Sequence, residues 1–393
     1  MRATTDWGFA RRTRVDVGEG LASILALSGA TDLISFAGGF PDPETFPTDE
    51  LAALVQRVSQ DPAALQYAPT PGLPGPRAFL ADRLETREGQ RPSDEELLIT
   101  SGGIEALELL GKSLIDPGDL VLVEGPTYLG AIMAFRSFEA DVVAVPMDDD
   151  GLDVGRLEAT VRERGRPKLL YTIPDHQNPA GVSLAEERRS ALVEVARRHG
   201  FLVVEDVAYR ELGFTEDRPP SLWALGPDVV VQAGTFSKTF FPGVRLGWAA
   251  GPAEVVAQMV NAKQNTDQCA GALGQRLLEE YGRRGLLDEQ IDRARGIYRS
   301  RRDTAMSALE RHVGDRATWT HPHGGFFTWL ELAEDGADVA RRALQAGVAV
   351  VPGRPFFSGV GGERNIRISY SQASEERLEE GIALLGPIVR ARA

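Results

Sequence analysis

The chain has 393 residues, 42% of them apolar and 25% charged, which suits one large or two ordinary globular domains. A net charge of −14 argues against nucleic-acid binding and against a polybasic membrane contact. Cys269 is the only cysteine, so an intrachain disulfide and a cysteine metal cluster are both excluded, and no two of the five histidines have the i, i+4 spacing of a zinc helix. Arg11, Arg12 and Arg14 are not followed by the apolar run of a signal peptide, and no stretch is long and apolar enough to span a bilayer. The expectation is a cytoplasmic enzyme without a catalytic metal.

In chain order, 19–28 reads as a short helix with an apolar face, and 33–47 as a loop in which Gly38 and Gly39 allow close backbone approach. Thr48 or Asp49 is placed to cap a helix over 50–59. Two Pro-Gly pairs keep 65–75 irregular, with Tyr67 exposed in that loop, until a helix begins near Pro76. From Leu97 the pattern alternates. Strands are predicted at 97–100, 120–125, 141–146, 168–174, 201–206, 228–234 and 245–250. Helices are predicted at 101–114, 127–138, 153–164 and 184–199. Continuous apolar strands separated by helices predict an α/β fold with a mostly parallel sheet covered on both faces. Helices dominate 252–312. A smaller α+β unit follows, with strands at 325–331, 347–351 and 365–369 and helices at 337–346 and 374–391. The domain boundaries expected are an N-terminal segment, 1–39, joining the small unit, a large domain over 40–285 and a small domain over 286–393.

The chemistry gathers where strands end. GTFSKTFFPGVRLGW (234–248) carries Lys238 among phenylalanines, and a lysine with apolar neighbours is costly to keep charged. Only the neutral amine attacks an aldehyde, so this environment suits a Schiff-base lysine. Thr235, Ser237 and Arg245 supply donors for a phosphate beside it. SGG (101–103) opens a helix whose free N–H groups and dipole favour an anion. Tyr128, Asn178 and Asp206 follow three further strands. An Asn-Pro turn or a strand-ending aspartate is unremarkable alone; five of the first six strand ends bearing such groups are not.

These motifs, above all YTIPDHQNPAG (171–181), VVEDVAY (203–209) and the lysine stretch, together with SFAGGFPDPETFP and NIRISYS, give the chain a resemblance to the fold-type I, PLP-dependent aminotransferases over nearly its whole length. It is most similar to the subgroup of 2-aminoadipate, kynurenine and broad-range enzymes. The resemblance implies pyridoxal 5′-phosphate as cofactor and the PLP-dependent transferase fold type I, with a large and a small domain. It also implies a role for each matching residue. Lys238 would be the Schiff-base lysine and proton shuttle. Asp206 would keep the pyridine nitrogen protonated, and Tyr128 would stack on the ring. Asn178 and Tyr209 would bond the phenolic oxygen. Gly102, Gly103, Ile104, Ser237 and Arg245 would hold the phosphate, and Tyr67 would reach the phosphate of a neighbouring subunit in a homodimer. Arg367 would clamp the substrate α-carboxylate, and Gly39 would close over the substrate.

The chain departs from that pattern at three points. SGGIEAL stands where a glutamine-rich start is usual, so Glu105 is expected to turn away from the phosphate. His176 replaces an aromatic residue and is expected to serve packing. Ala180 replaces a threonine in the turn. The expected reaction is amino exchange between an L-amino acid, apolar or aromatic favoured because 19–28 holds no Lys or Arg, and a 2-oxo acid such as 2-oxoglutarate. The same residues would also serve a PLP-dependent lyase, decarboxylase, oxidase or cyclase. A non-catalytic PLP-binding regulator is the remote alternative, disfavoured by the acidic charge and by the roughly 30 residues that precede LISFAGG.

Overall fold

The computed structural model describes residues 7–13, 33–215 and 218–390. Arg14 and the predicted helix at 19–28 lie outside the described residues. Eight strands form one sheet in the order Leu97–Thr100, Gly247–Ala250, Val230–Thr235, Leu202–Asp206, Leu169–Thr172, Leu120–Gly125, Asp141–Asp148, Gly151–Leu152. The neighbours from 230–235 to 141–148 pair in parallel. Strand 247–250 is antiparallel to both of its neighbours, and 151–152 turns back on 141–148 as a hairpin.

Both faces of this sheet are buried, and the side chains alternate between them. Leu98, Val121, Val123, Leu169, Tyr171, Val204 and Val231 enter one apolar cluster, while Leu97, Ile99, Leu122, Leu170, Val203 and Val230 enter the other. Each such aliphatic side chain contributes about 1.5–3 kcal/mol on burial, which is why the strands read as unbroken apolar runs. The covering helices include Gly103–Leu114, Leu129–Ser137 and Glu186–His199. The last begins with Glu186 and Glu187 and ends with Arg197, Arg198 and His199, opposite in sign to the helix dipole at each end, before Gly200 closes it at φ 69°.

Beyond the long helix Leu286–His312, a four-stranded antiparallel sheet runs in the order Ala317–Trp319, Phe327–Leu332, Asn365–Ser369, Val351–Pro352. Ile34–Ser35 pairs in parallel with Val348–Ala349. Strands 34–35 and 317–319 were not expected; two or three residues are too few for a periodic signal. The helix expected over 50–59 starts at Thr48, with Pro47 at its cap and no side-chain capping bond. The last helix stops at Leu385 rather than 391, and Ser374 caps its start through the Arg377 N–H. Among the described residues no helix is long and apolar enough to cross a membrane.

Candidate active site

Because the strands ending at Gly125, Thr172, Asp206 and Thr235 are parallel neighbours, their carboxyl ends share one edge of the sheet. The antiparallel strand 247–250 leaves 97–100 running the same way, so the start of helix 103–114 arrives at that edge too. Ligands collect at this edge of open α/β sheets. A cavity of about 370 Å³ opens there. Lys238, Asp206, Tyr128, Asn178, Tyr209, Ser237, Arg245, Gly103, Ile104, Gly39 and Arg367 all line it.

Lys238 is enclosed, and its Nζ donates to the Gly39 carbonyl at 2.7 Å. Burial, then the charges of Arg367 and Arg245, lower its pKa to about 8 against the pull of Asp206. Asp206 faces it across the pocket. Its Oδ2 accepts the Tyr171 hydroxyl at 2.6 Å and its Oδ1 the Ala208 N–H at 3.0 Å. Burial raises the carboxyl's pKa; these two bonds and Lys238 oppose that rise. Tyr171 escaped the sequence reading. The available signal was a hydroxyl inside an otherwise apolar strand, which has to find a partner when buried.

At the other end the groups are donors. Gly102 precedes helix 103–114 at φ +103°, with no side chain to cap the N–H groups, and a Cβ there would lie 2.5 Å from the Arg245 guanidinium. Arg245 donates to Ser237 Oγ at 3.2 Å, and Thr235 Oγ1 donates to the same oxygen at 3.0 Å. Glu105 turns away from this cradle. It pairs with buried Lys263 at 2.7 Å and accepts the Ser101 N–H at 2.5 Å. The anionic residue in the first turn is thus neutralised before it opposes an anion.

Arg367 closes the pocket from the small sheet. Its Nη1 donates to Asn178 Oδ1 at 2.8 Å and its Nη2 to the Ala37 carbonyl at 2.5 Å, while the buried Nε has no partner. The guanidinium lies over the Phe327 and Phe356 rings, at 4.2 and 4.8 Å from their centroids. Asn178 is set by a turn that Glu124 organises from beneath. The Glu124 carboxylate accepts Thr172 Oγ1, the Ile173 N–H at 3.1 Å and Gln177 Nε2 at 2.9 Å. Gln177 in turn accepts the Ala180 N–H at 2.8 Å. Phe40, Leu129, Ile173, Phe327 and Phe356, none of them singled out from sequence, supply apolar walls. Tyr67 does not reach this pocket; it is 79% exposed. His176 lies outside it, its ring against Gly213 and Gly324.

Hydroxyls, an arginine and a helix start at one end, a carboxylate at the other, a tyrosine ring along the side and a lysine with a lowered pKa describe a container for a flat ring bearing a phosphate, a basic nitrogen and an aldehyde. The donor set fits PLP. Among the described residues no group of His, Cys, Asp and Glu side chains is placed to hold a metal.

Known proteins share this sequence and fold. The family model for aminotransferase class I and II matches residues 31–385. The chain is 40% identical over 374 residues to a 2-aminoadipate transaminase of Thermus thermophilus, covering 93% of this chain and 92% of that one. It is 37% identical over 380 residues to an aromatic-amino-acid aminotransferase of Thermococcus litoralis, covering 94% and 91%. The crystal structure of the alpha-aminoadipate aminotransferase of Thermus thermophilus, complexed with N-(5′-phosphopyridoxyl)-L-leucine, superposes with a TM-score of 0.90 at 39% identity and covers 98% of each chain. With its fold, its cofactor site and its sequence in accord, the chain belongs to the aminotransferase class I and II family, as a fold-type I, PLP-dependent aminotransferase.

Proposed function

We propose that the enzyme exchanges the amino group of an apolar or aromatic L-amino acid with a 2-oxo acid such as 2-oxoglutarate. The observation that carries this reading is the wall opposite the cofactor cradle. Arg367 presents a buried guanidinium between Phe327 and Phe356, and the remaining surface there is apolar. Arg245 belongs to the phosphate end, so among the described lining residues no second cation is left for an acidic side chain.

When bound, PLP supplies the aldehyde and the electron sink that make the Cα proton acidic. The protein's residues do the rest. Lys238 Nζ, its pKa lowered to about 8 by burial and the nearby arginines, would take the Cα proton and return it. Asp206, whose carboxylate form Tyr171, Ala208 and Lys238 favour against its burial, would hold a proton on the ring nitrogen. Tyr128 would fix the ring plane, while Asn178 and Tyr209 would bond its edge. Gly102, Gly103, Ile104, Ser237 and Arg245 would anchor the phosphate. Arg367 would orient the α-carboxylate, and Gly39, where a Cβ would lie 2.5 Å from the Phe327 ring, would cover the site. Tyr67, exposed and outside this chain's own pocket, supports a homodimer in which it would reach the phosphate of a second copy, and the pairing of 34–35 with 348–349 supports an N-terminal segment that joins a small domain over 286–393.

The test is a half-reaction panel. Leucine, phenylalanine, kynurenine, 2-aminoadipate and aspartate are each mixed with the yellow holoenzyme, and the cofactor band is followed before and after adding 2-oxoglutarate. Apolar and aromatic donors are expected to bleach it at least about 10-fold faster than aspartate, the discrimination worth about 1.4 kcal/mol that an apolar wall supplies. A band bleached only by acidic donors refutes the side-chain assignment, and one that no 2-oxo acid restores favours lyase or decarboxylase chemistry.

Tyr171→Phe checks the role of Asp206. Its hydroxyl stabilises the carboxylate, so its loss raises the Asp206 pKa. Asp206 works as the anion, present above its pKa, so the acid limb of the kcat/KM profile moves to higher pH. A hydrogen bond to a charged group is worth about 1.5–3 kcal/mol, so a shift of about one unit and roughly 10-fold lower activity on the acid limb are expected. An unmoved acid limb would remove Tyr171 from the account.

A further inference from the structure

A second and larger cavity, of about 640 Å³, opens away from the cofactor cradle, and five arginines converge on it: Arg87, Arg210, Arg218, Arg295 and Arg299. In a chain of net charge −14 this is a local reversal of sign. Three of the five are neutralised. Arg210 pairs with Glu88 and Asp175, both at 2.8 Å, Arg87 with Asp288 at 2.5 Å, and Arg295 with Asp292 at 2.9 Å. Arg218 and Arg299 have no carboxylate partner among the described residues. The Arg218 Nη2 donates to the Arg87 carbonyl at 3.1 Å, but its Nη1 is buried with no partner at all. Arg299 projects from helix 286–312 and makes no hydrogen bond or ion pair with the described residues. Residues 216–217, which precede Arg218, lie outside the description.

We propose that this cavity is a binding site for a multiply charged oxyanion, a phosphate or a polycarboxylate, held by Arg218 and Arg299. A buried guanidinium N–H without an acceptor is costly, and planar forks match carboxylate and phosphate oxygens in pairs. Burial and the neighbouring Arg210 already depress the Arg218 pKa, so an added anion relieves both like-charge repulsion and the unmet donor. The site also touches the parts that set the catalytic geometry. His176 lines it two residues before Asn178, and His323 lines it from the segment bridged to Gly213 through Gly324. An anion seated here ties the Asn178 turn, the long helix and the strand unit beyond it together, and is expected to raise the melting temperature.

The experiment uses PLP-saturated enzyme, so that the cofactor's own phosphate cradle is filled. Inorganic phosphate and citrate are titrated by calorimetry and by thermal shift, with sodium chloride at matched ionic strength as control. Saturable binding is expected, with an affinity at least about 10-fold weaker, or about 1.4 kcal/mol, in Arg299→Ala and in Arg218→Ala. Arg299 is exposed, so its variant keeps the test open even where Arg218→Ala folds poorly. Phosphate alone identifies a phosphate-type ligand, citrate alone a polycarboxylate, and both together a general oxyanion site. No saturable binding, an equal response to chloride, or binding unchanged in Arg299→Ala overturns the proposal.

Discussion

Lys238→Ala is expected to lower the rate of amino transfer by at least about 10⁴-fold, since the role proposed for Lys238 makes it both the covalent anchor and a general acid–base group itself worth about 10²–10⁴. The absorbance band of the lysine–cofactor linkage should vanish with it. Added methylamine would restore a band but little turnover, because a free amine cannot be held over the Cα position. The lowered pKa makes a second, independent forecast. With Nζ titrating at about 8, the rate at which the apoenzyme captures PLP should climb with pH and level off near that value, where an ordinary lysine would keep climbing past pH 10. The stability of the apoenzyme follows the same group. Its folded pKa lies below the unfolded one, so between the two values the unfolded chain binds the extra proton and stability rises with pH. Below about pH 8 the full penalty of the buried charge remains. Lys238→Met should flatten that rise. A capture rate still increasing at pH 10 would mean that burial does not control this lysine.

The chain told its own architecture most clearly where burial is two-sided. Strands such as LVLVEG and FLVVED are apolar at consecutive positions because both faces of the sheet are covered, and their boundaries were read to within a residue or two. The reversed direction of 247–250 was not legible, since an apolar run carries no sign of direction. The polar strand-end residues were legible as a set, because Lys238, Asp206 and Asn178 are expensive in such surroundings unless something uses them. The apolar walls were not. Phe327 and Phe356 read as ordinary core until the fold brings them against Arg367, across a large separation in sequence. Glu124 was hidden for the opposite reason. A glutamate at the end of a strand looks solvated, yet this one is 1% exposed, with its pKa pushed up to about 7 by burial, and it works through Gln177 on the Asn178 turn.

Arg367 gives the second large effect. Its guanidinium is 4% exposed, and burial lowers its pKa to about 10, so it remains a cation at neutral pH. The cost of holding that charge inside is met in part by Asn178, the Ala37 carbonyl and the two aromatic faces, and the unpartnered Nε leaves one donor to be satisfied by an incoming carboxylate. Losing one side of a buried, hydrogen-bonded charge pair costs about 2–5 kcal/mol. Arg367→Ala is therefore expected to lower kcat/KM by roughly 30- to 5,000-fold. Most of this should fall on KM, because the carboxylate is bound in the ground state and the transition state alike. Part should fall on kcat, because the same contact fixes the orientation of the Cα–H bond. Arg367→Lys keeps the charge but loses the fork and the tie to Asn178, so it should recover only a fraction of the loss. The decisive comparison is an amine without a carboxylate. A slow alkylamine substrate offers Arg367 nothing to hold, and its rate should be nearly the same in the parent enzyme and in Arg367→Ala. If the variant loses as much on the amine as on the amino acid, Arg367 shapes the pocket and its role as carboxylate clamp is wrong.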